Sequence, residues 1–187
     1  MRVLNVLFLL ALIVSAGTFS APSFVAANPK TVLILSEPNS QGSGISEILF
    51  TTVAKRISTQ LEQAGYTAEQ AVRGSGLTDP ELLAELKAAR EKGKLGRVAD
   101  FVALIQITAN TILEEKGARI RVEIQGRMLD VETGDRLALF ELPVPQQLIA
   151  PADCNRSCIL KLLQDNIESL ADGLGLILGQ RLNATDP

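Results

Sequence analysis

Arg127 to Pro143 reads RMLDVETGDRLALFELP, and this stretch decides the fold class. A polar Glu-Thr-Gly-Asp segment separates an apolar-rich run ending at Val131 from another starting at Leu137. The pattern predicts a β-hairpin turning at Thr133-Gly134, with Gly134 supplying a positive φ that a side chain would resist. Upstream, Arg119 to Gln125 (RIRVEIQ) alternates strictly, with Ile120, Val122 and Ile124 opposed to Arg119, Arg121, Glu123 and Gln125. That period of two marks a half-exposed antiparallel strand. Leu129 and Val131 have the opposite parity, and a bulge at Gly126 is the expected cause. Downstream, Pro143 and Pro145 are expected to end the sheet.

Working outward, two further runs read as buried strands: Lys30 to Ser36 (KTVLILS) and Phe101 to Ala109 (FVALIQITA). Tyr66 to Val72 suits a shorter one. Ile45, Ile48, Leu49, Val53, Ile57 and Leu61 recur at helical spacing and stop at Gly65. Asp79-Pro80 reads as an N-cap followed by proline at the first helical position, opening a helix buried through Leu82, Leu83 and Leu86 and ending near Gly93 to Gly96. The last helix spans about residues 157–182, with Asp153 or Ser157 as its cap. Leu160, Leu163, Ile167, Leu170, Leu174 and Ile177 step along it by threes and fours. This stripe packs on the chain's own sheet or serves as a candidate partner surface, a homodimer seam included. Gly173, Gly175 and Gly179 lie within the helix, each costing about 1 kcal/mol relative to alanine. Close approach of a neighbouring element would offset that cost. The prediction is a single α/β (α+β) domain over residues 28–187: a mixed sheet of about five strands in the order β-α-β-α-β-β-β-α, with helices packed on it.

The amino-terminus predicts export. Arg2 precedes the apolar run Val6 to Val14, and Val25 and Ala27 suit the positions before a signal-peptidase cut. Residues 1–27 are therefore read as a signal peptide cleaved after Ala27, with Gly17 as the second choice. The apolar run is shorter than the roughly 20 residues a membrane span needs, so no stable membrane insertion is expected after cleavage. The only cysteines, Cys154 and Cys158, stand in a C-x3-C pair. Exported chains meet oxidising surroundings, which favours a structural disulfide over two unpaired core residues. Zinc would need further ligands, and the chain has no histidine.

Composition narrows the function classes. The 187-residue chain is 47% apolar, with a formal charge of −3, six Phe, one Tyr and no Trp. The charge and the lack of a basic stripe argue against nucleic acid. Without histidine the usual base for a serine nucleophile is missing. Glu81/Glu85 sit where acidic residues complement a helix start, and Glu114/Glu115 sit in a loop, so neither carboxylate pair points to glycosidase chemistry. The loop Glu37 to Gly44 has a strand-to-helix setting for a phosphate but lacks the Lys-Ser/Thr and third glycine of nucleotide loops. Asn155-Arg156-Ser157 and Asn183-Ala184-Thr185 match the N-glycosylation pattern, which matters only in a eukaryotic secretory route. No catalytic residue, metal ligand or cofactor is assigned.

At Ala99-Asp100-Phe101-Val102 and at Asp130-Val131-Glu132-Thr133-Gly134 the chain resembles a group of bacterial envelope proteins. The group comprises the curli-secretion CsgG-like proteins, the amino-terminal domain of TolB, FlgT, and lipoproteins that activate penicillin-binding proteins. The resemblance runs from Thr31 to about Leu182. It implies a mixed sheet flanked by helices and a non-enzymatic accessory or assembly role in the periplasm, through protein–protein contacts in a secretion, pilus, flagellar or cell-wall machine. The chain departs from the lipoprotein members in lacking a lipidation cysteine, and it adds the Cys154/Cys158 pair. The alternative from another class is a periplasmic small-ligand or glycan-binding domain using the loops after the strands.

Overall fold

The computed structural model describes residues 28–37, 44–71, 76–92, 99–115, 117–143 and 148–185. The expected signal peptide, most of the Glu37–Gly44 loop and the Gly93–Gly96 helix end lie outside these residues. The elements in chain order are β1 (Thr31–Ser36), α1 (Gly44–Gln63), β2 (Thr67–Ala71), α2 (Asp79–Glu91), β3 (Phe101–Glu114), β4 (Gly117–Asp130), β5 (Arg136–Pro143), β6 (Leu148–Pro151) and α3 (Arg156–Thr185). They form one mixed sheet ordered β2-β1-β3-β4-β5, with β6 also paired to β4. β1 runs parallel to β2 and β3; β3, β4, β5 and β6 are joined by antiparallel pairings.

The two parallel crossovers run in opposite directions across the sheet, from β1 to β2 and then from β2 back past β1 to β3. Right-handed crossovers of opposite sense place their helices on opposite faces. α1 accordingly lies on one face and α2 on the other. The larger core joins α1 and α3 to Val32, Ile34, Ala103, Ile105, Ile120, Val122, Ile124 and Met128. The smaller one joins Leu82, Leu83 and Leu86 of α2 to Leu33, Leu35, Val102, Leu104, Leu129 and Val131.

That second core explains the change of parity in β4, and it corrects the expected bulge at Gly126. The β3–β4 register is unbroken through Ile105↔Gly126. Even-numbered residues of β4 face α1 and α3 throughout, while Leu129 and Val131 are apolar because α2 covers the other face at that end. Gly126 is needed for space: a Cβ there would run into the backbone carbonyl oxygen of Leu104 on β3 and stand 2.7 Å from the ring of Phe140. The irregularity of register falls instead between Met128 and Leu129, opposite β5.

The hairpin turns as expected. Gly134 has φ +81°, and its N–H donates to the Asp130 carbonyl at 3.0 Å. Asp130 Oδ1 accepts from the backbone N–H groups of Glu132 and Thr133, both at 2.8 Å, so this side chain holds the turn from within.

Three further expectations need correction. The sheet does not end at the prolines, because β6 returns to pair with Gly117 to Ile120 and makes a sixth strand. Thr78, not Asp79, caps α2: the Glu81 carboxylate, at the third helical position, reaches back and accepts from the Thr78 N–H at 2.9 Å and from its hydroxyl at 2.7 Å. At the start of α3 the cap is Asn155 rather than Asp153 or Ser157. Its Oδ1 accepts from the Cys158 N–H at 3.0 Å, and its carbonyl accepts from the Ile159 N–H at 3.0 Å.

Candidate functional site

The two faces of the sheet are covered unequally. α2 spans only the end formed by β1, the start of β3 and the finish of β4. Beyond it the same face presents β3, β4, β5 and β6 without a covering helix among the described residues. The register fixes what stands there. Ile112 lies opposite Arg119, and Arg119 opposite Ile149, so one row crosses three strands as Ile-Arg-Ile. Ile112 is 58% exposed and Ile149 65%. Arg119 donates to Glu114 at 2.5 Å, while its Nε is buried with no hydrogen-bond partner among the described residues. The next rows are polar, with Asn110 opposite Arg121, Thr108 opposite Glu123, and Gln106 opposite Gln125. Arg127 and Leu139 then stand opposite one another at the far end, and Leu139 is 73% exposed.

At that far end the open face meets α2 in a cluster of charges. Arg127 donates to both Glu37 oxygens at 2.8 and 2.9 Å and through Nε to Asp79 at 2.5 Å. Arg136 donates to the other Asp79 oxygen at 2.7 Å. Because Thr78 takes the capping role, the Asp79 side chain is free to bridge the two arginines. Burial alone would raise its pKa, but the hydrogen bonds from Arg136 and Arg127 outweigh this and hold it below the ordinary carboxylate value. Burial likewise works against the Arg127 charge, and its bonds to Glu37 and Asp79 more than compensate. Farther along, the Glu123 carboxyl is raised, first by its hydrogen bond with Glu141, then by burial and by the Glu141 charge.

A cleft of about 400 Å³ opens between these groups, lined by Glu37, Gln106, Gln125, Gly126, Arg127, Leu139, Phe140 and Glu141. Most of its lining comes from the antiparallel strands β3, β4 and β5, with Glu37 reaching in from the end of β1.

The other sequence-derived candidates separate. Cys154 and Cys158 are joined by a disulfide with Cα atoms 5.4 Å apart, at the turn from β6 into α3. The Cys154 N–H also donates to the Pro151 carbonyl at 3.0 Å. Of the candidate partner stripe, Leu163, Ile167 and Leu174 are buried in the chain's own core, continued by Ala171, Leu178 and Leu182. Leu160 and Leu170 are half-buried, and Ile177 is 54% exposed beside Leu176. The neighbour of α3 is largely α1. A Cβ on Gly175 would stand 3.0 Å from the Cα of Ile57, and one on Gly179 3.0 Å from the Cβ of Ala64. Arg56 of α1 pairs with Glu168 and Asp172 of α3, which raises the Arg56 pKa, first through the Glu168 hydrogen bond. Glu81 is committed to its cap and Glu114 to Arg119. Asn183 accepts from the Tyr66 hydroxyl at 2.9 Å.

Sequence reasoning missed Ile112, Ile149, Leu139 and the Arg127 cluster. The polar side of β4 was visible in the alternation of Arg119 to Gln125. Its apolar companions come from β3, β5 and β6, and only the pairing register brings them alongside.

Among the described residues, fold and surface define a single mixed α/β domain with three helices and a six-stranded sheet, part of one sheet face being left uncovered. Solved structures with similar arrangements include lipoprotein GNA1162 from Neisseria meningitidis, 18% identical over 78% of this chain and 99% of that one, with a TM-score of 0.43. The PelC dodecamer from Paraburkholderia phytofirmans is 13% identical over 76% and 88%, with a TM-score of 0.42. A minor lipoprotein from Acinetobacter baumannii is 10% identical over 80% and 92%, with a TM-score of 0.41. Two of the three are bacterial lipoproteins, and the likeness is one of fold. No protein-family model matches the chain, and no curated protein does. Among the described residues no helix is long and apolar enough to cross a membrane.

Proposed function

We propose that this chain is a non-enzymatic accessory or assembly factor of a bacterial envelope machine, working in the periplasm through protein–protein contacts. The observation that carries the reading is the bare sheet face with its Ile112–Arg119–Ile149 row. Two exposed isoleucines, Ile112 on β3 and Ile149 on β6, set on either side of an arginine on β4 and bordered by polar rows, have the make-up of an interface centre with a polar rim. The resemblance at Ala99–Val102 and Asp130–Gly134 supports the same class and narrows it towards the CsgG-like and TolB-type envelope proteins. The chain is exported and cut after Ala27, so intact-mass analysis of the periplasmic form gives a chain starting at Asn28. Recovery of the full-length chain in the membrane would remove the soluble periplasmic reading.

The partner test is site-specific photo-crosslinking in intact cells from a probe at position 149. The expected result is a discrete adduct with an envelope protein, abolished by Ile112→Asp without loss of thermal stability. Absence of any adduct from 149 and from 112 would refute the reading.

A second reading, a small polar ligand or glycan held in the cleft, rests on the cleft's lining of two Gln amides, two carboxylates and Arg127. A thermal-shift screen with sugars and small cations separates the two. A shift removed by Gln106→Ala together with Gln125→Ala would favour the cleft.

A further inference from the structure

The two edges of the sheet differ in a way the partner reading does not use. The β2 edge is five residues, Thr-Ala-Glu-Gln-Ala. Short, polar edges of this kind resist pairing with another chain. At the opposite edge β5 is eight residues, Arg-Leu-Ala-Leu-Phe-Glu-Leu-Pro. It pairs with β4 on one side and with no strand on the other among the described residues. Its exposed side chains on the bare face are Arg136, Leu139 and Glu141. An unpaired edge of this length, apolar and free of proline until its last residue, offers a row of backbone donors and acceptors to a second strand.

The order of these three side chains says which strand fits. Around a two-fold axis through residue 139, an antiparallel copy of β5 places Leu139 opposite the partner's Leu139. The irregularity between Met128 and Leu129 shifts Arg136 to the position where residue 137 would otherwise stand: Leu129 faces Arg136, whereas Met128 faces Ala138. Arg136 therefore shares the bare face with Leu139 and Glu141, and in the two-fold arrangement it falls opposite the partner's Glu141. One apolar pair is then flanked by two identical ion pairs. A two-fold interface must be self-complementary in this sense. Within one copy, Glu141 has the Glu123 carboxyl as its neighbour, and Arg136, 52% exposed, has room for a second partner beside Asp79.

We propose that two copies of this chain join edge to edge through antiparallel β5 strands, centred on Leu139, to give one continuous twelve-stranded sheet. The bare faces of both copies then lie on the same side of that sheet and form one extended surface. This inference stands whether or not the partner reading does, since it concerns the edge and not the Ile112–Arg119–Ile149 row.

The test uses the exported, disulfide-intact chain. Sedimentation equilibrium at tens of micromolar should give twice the chain mass. Leu139→Cys should form an interchain disulfide under mild oxidation, because directly opposed residues of antiparallel strands stand about 4.5–5.5 Å apart between Cα atoms. Glu69→Cys on the β2 edge should not. Leu139→Lys should raise the dimer dissociation constant at least about tenfold by opposing two like charges, with an unchanged circular dichroism spectrum. Glu141→Arg should weaken the dimer likewise, and combining it with Arg136→Glu should restore it. A monomer at these concentrations overturns the proposal, as does a dimer that neither cross-links at 139 nor responds to Leu139→Lys.

Discussion

Gly173 and Gly175 lie two residues apart in α3, and alanine at each should move stability in opposite directions. Both glycines cost the helix about 1 kcal/mol relative to alanine, through backbone entropy. Around Gly173 a Cβ would meet nothing within 4 Å, so Gly173→Ala should recover that full amount. For a domain of this size it should raise the melting temperature by about 2–4 °C. At Gly175 a Cβ would stand 2.8 Å from the Cβ of Gln60, and 3.0 Å from both its Cγ and the Cα of Ile57. Rotation about χ1 can move Gln60 Cγ aside, but Gln60 Cβ and Ile57 Cα are fixed by the α1 backbone and move only with the helix. Overpacking of this kind costs about 1–3 kcal/mol, which cancels the propensity gain and leaves a net loss of about 1 kcal/mol. The two variants should therefore differ by about 2 kcal/mol. With a urea slope of about 2 kcal/mol per molar, their midpoints lie about 1 M apart, about 0.5 M on either side of the wild type. Equal stabilisation by both substitutions would refute the close approach of α1 and α3 as the reason for Gly175.

Four other outcomes are expected. Asp79→Asn should cost about 2 kcal/mol at neutral pH, because hydrogen bonds from two arginines lose their charged acceptor. Asp79 has a depressed folded-state pKa, so its contribution is present above the ordinary carboxylate pKa and lost as pH falls through the folded value; the gap between variant and wild type in urea melts should close in acid. Glu123 has a raised folded-state pKa, so its ionisation costs stability as pH rises. Glu123→Gln should raise the denaturation midpoint at pH 7 and lose that advantage below about pH 4. Replacing both Cys154 and Cys158 by Ser should cost about 2 kcal/mol for so small a ring, and hydrogen exchange should quicken at Ile159 to Leu163 while the fold persists. Gly134→Val should cost about 1 kcal/mol or more in the same melts, since a β-branched residue resists φ +81°; the nearest atom to a Cβ there, Leu83 Cδ1 at 3.6 Å, leaves room, so the cost is conformational.

The sequence by itself determined every element but β6, and their order. The period of two in Arg119 to Gln125, the three-and-four spacing from Ile45 to Leu61, and the Asp-x-x-Thr-Gly turn are local statements, since each follows from where consecutive side chains point along a strand or helix. The disulfide was legible for a similar reason, because two cysteines four residues apart lie within reach in almost any turn or helix start. Tertiary structure decided the rest. Leu129 and Val131 carry the wrong parity until α2 is known to cover that end, and Gly126 looks like a bulge until the Leu104 carbonyl and the Phe140 ring are seen beside it. Asp79 reads as a cap until Thr78 and Glu81 form the box that frees it for Arg127 and Arg136. β6 is a four-residue strand behind a proline-bearing connection, too short for periodicity to mark, and its Ile149 meets Ile112 only through the register of β4. The candidate surface is composed of residues from separate strands, and no local pattern in one strand specifies its neighbours across the sheet. That information resides in the pairing, which long-range packing of the two cores selects.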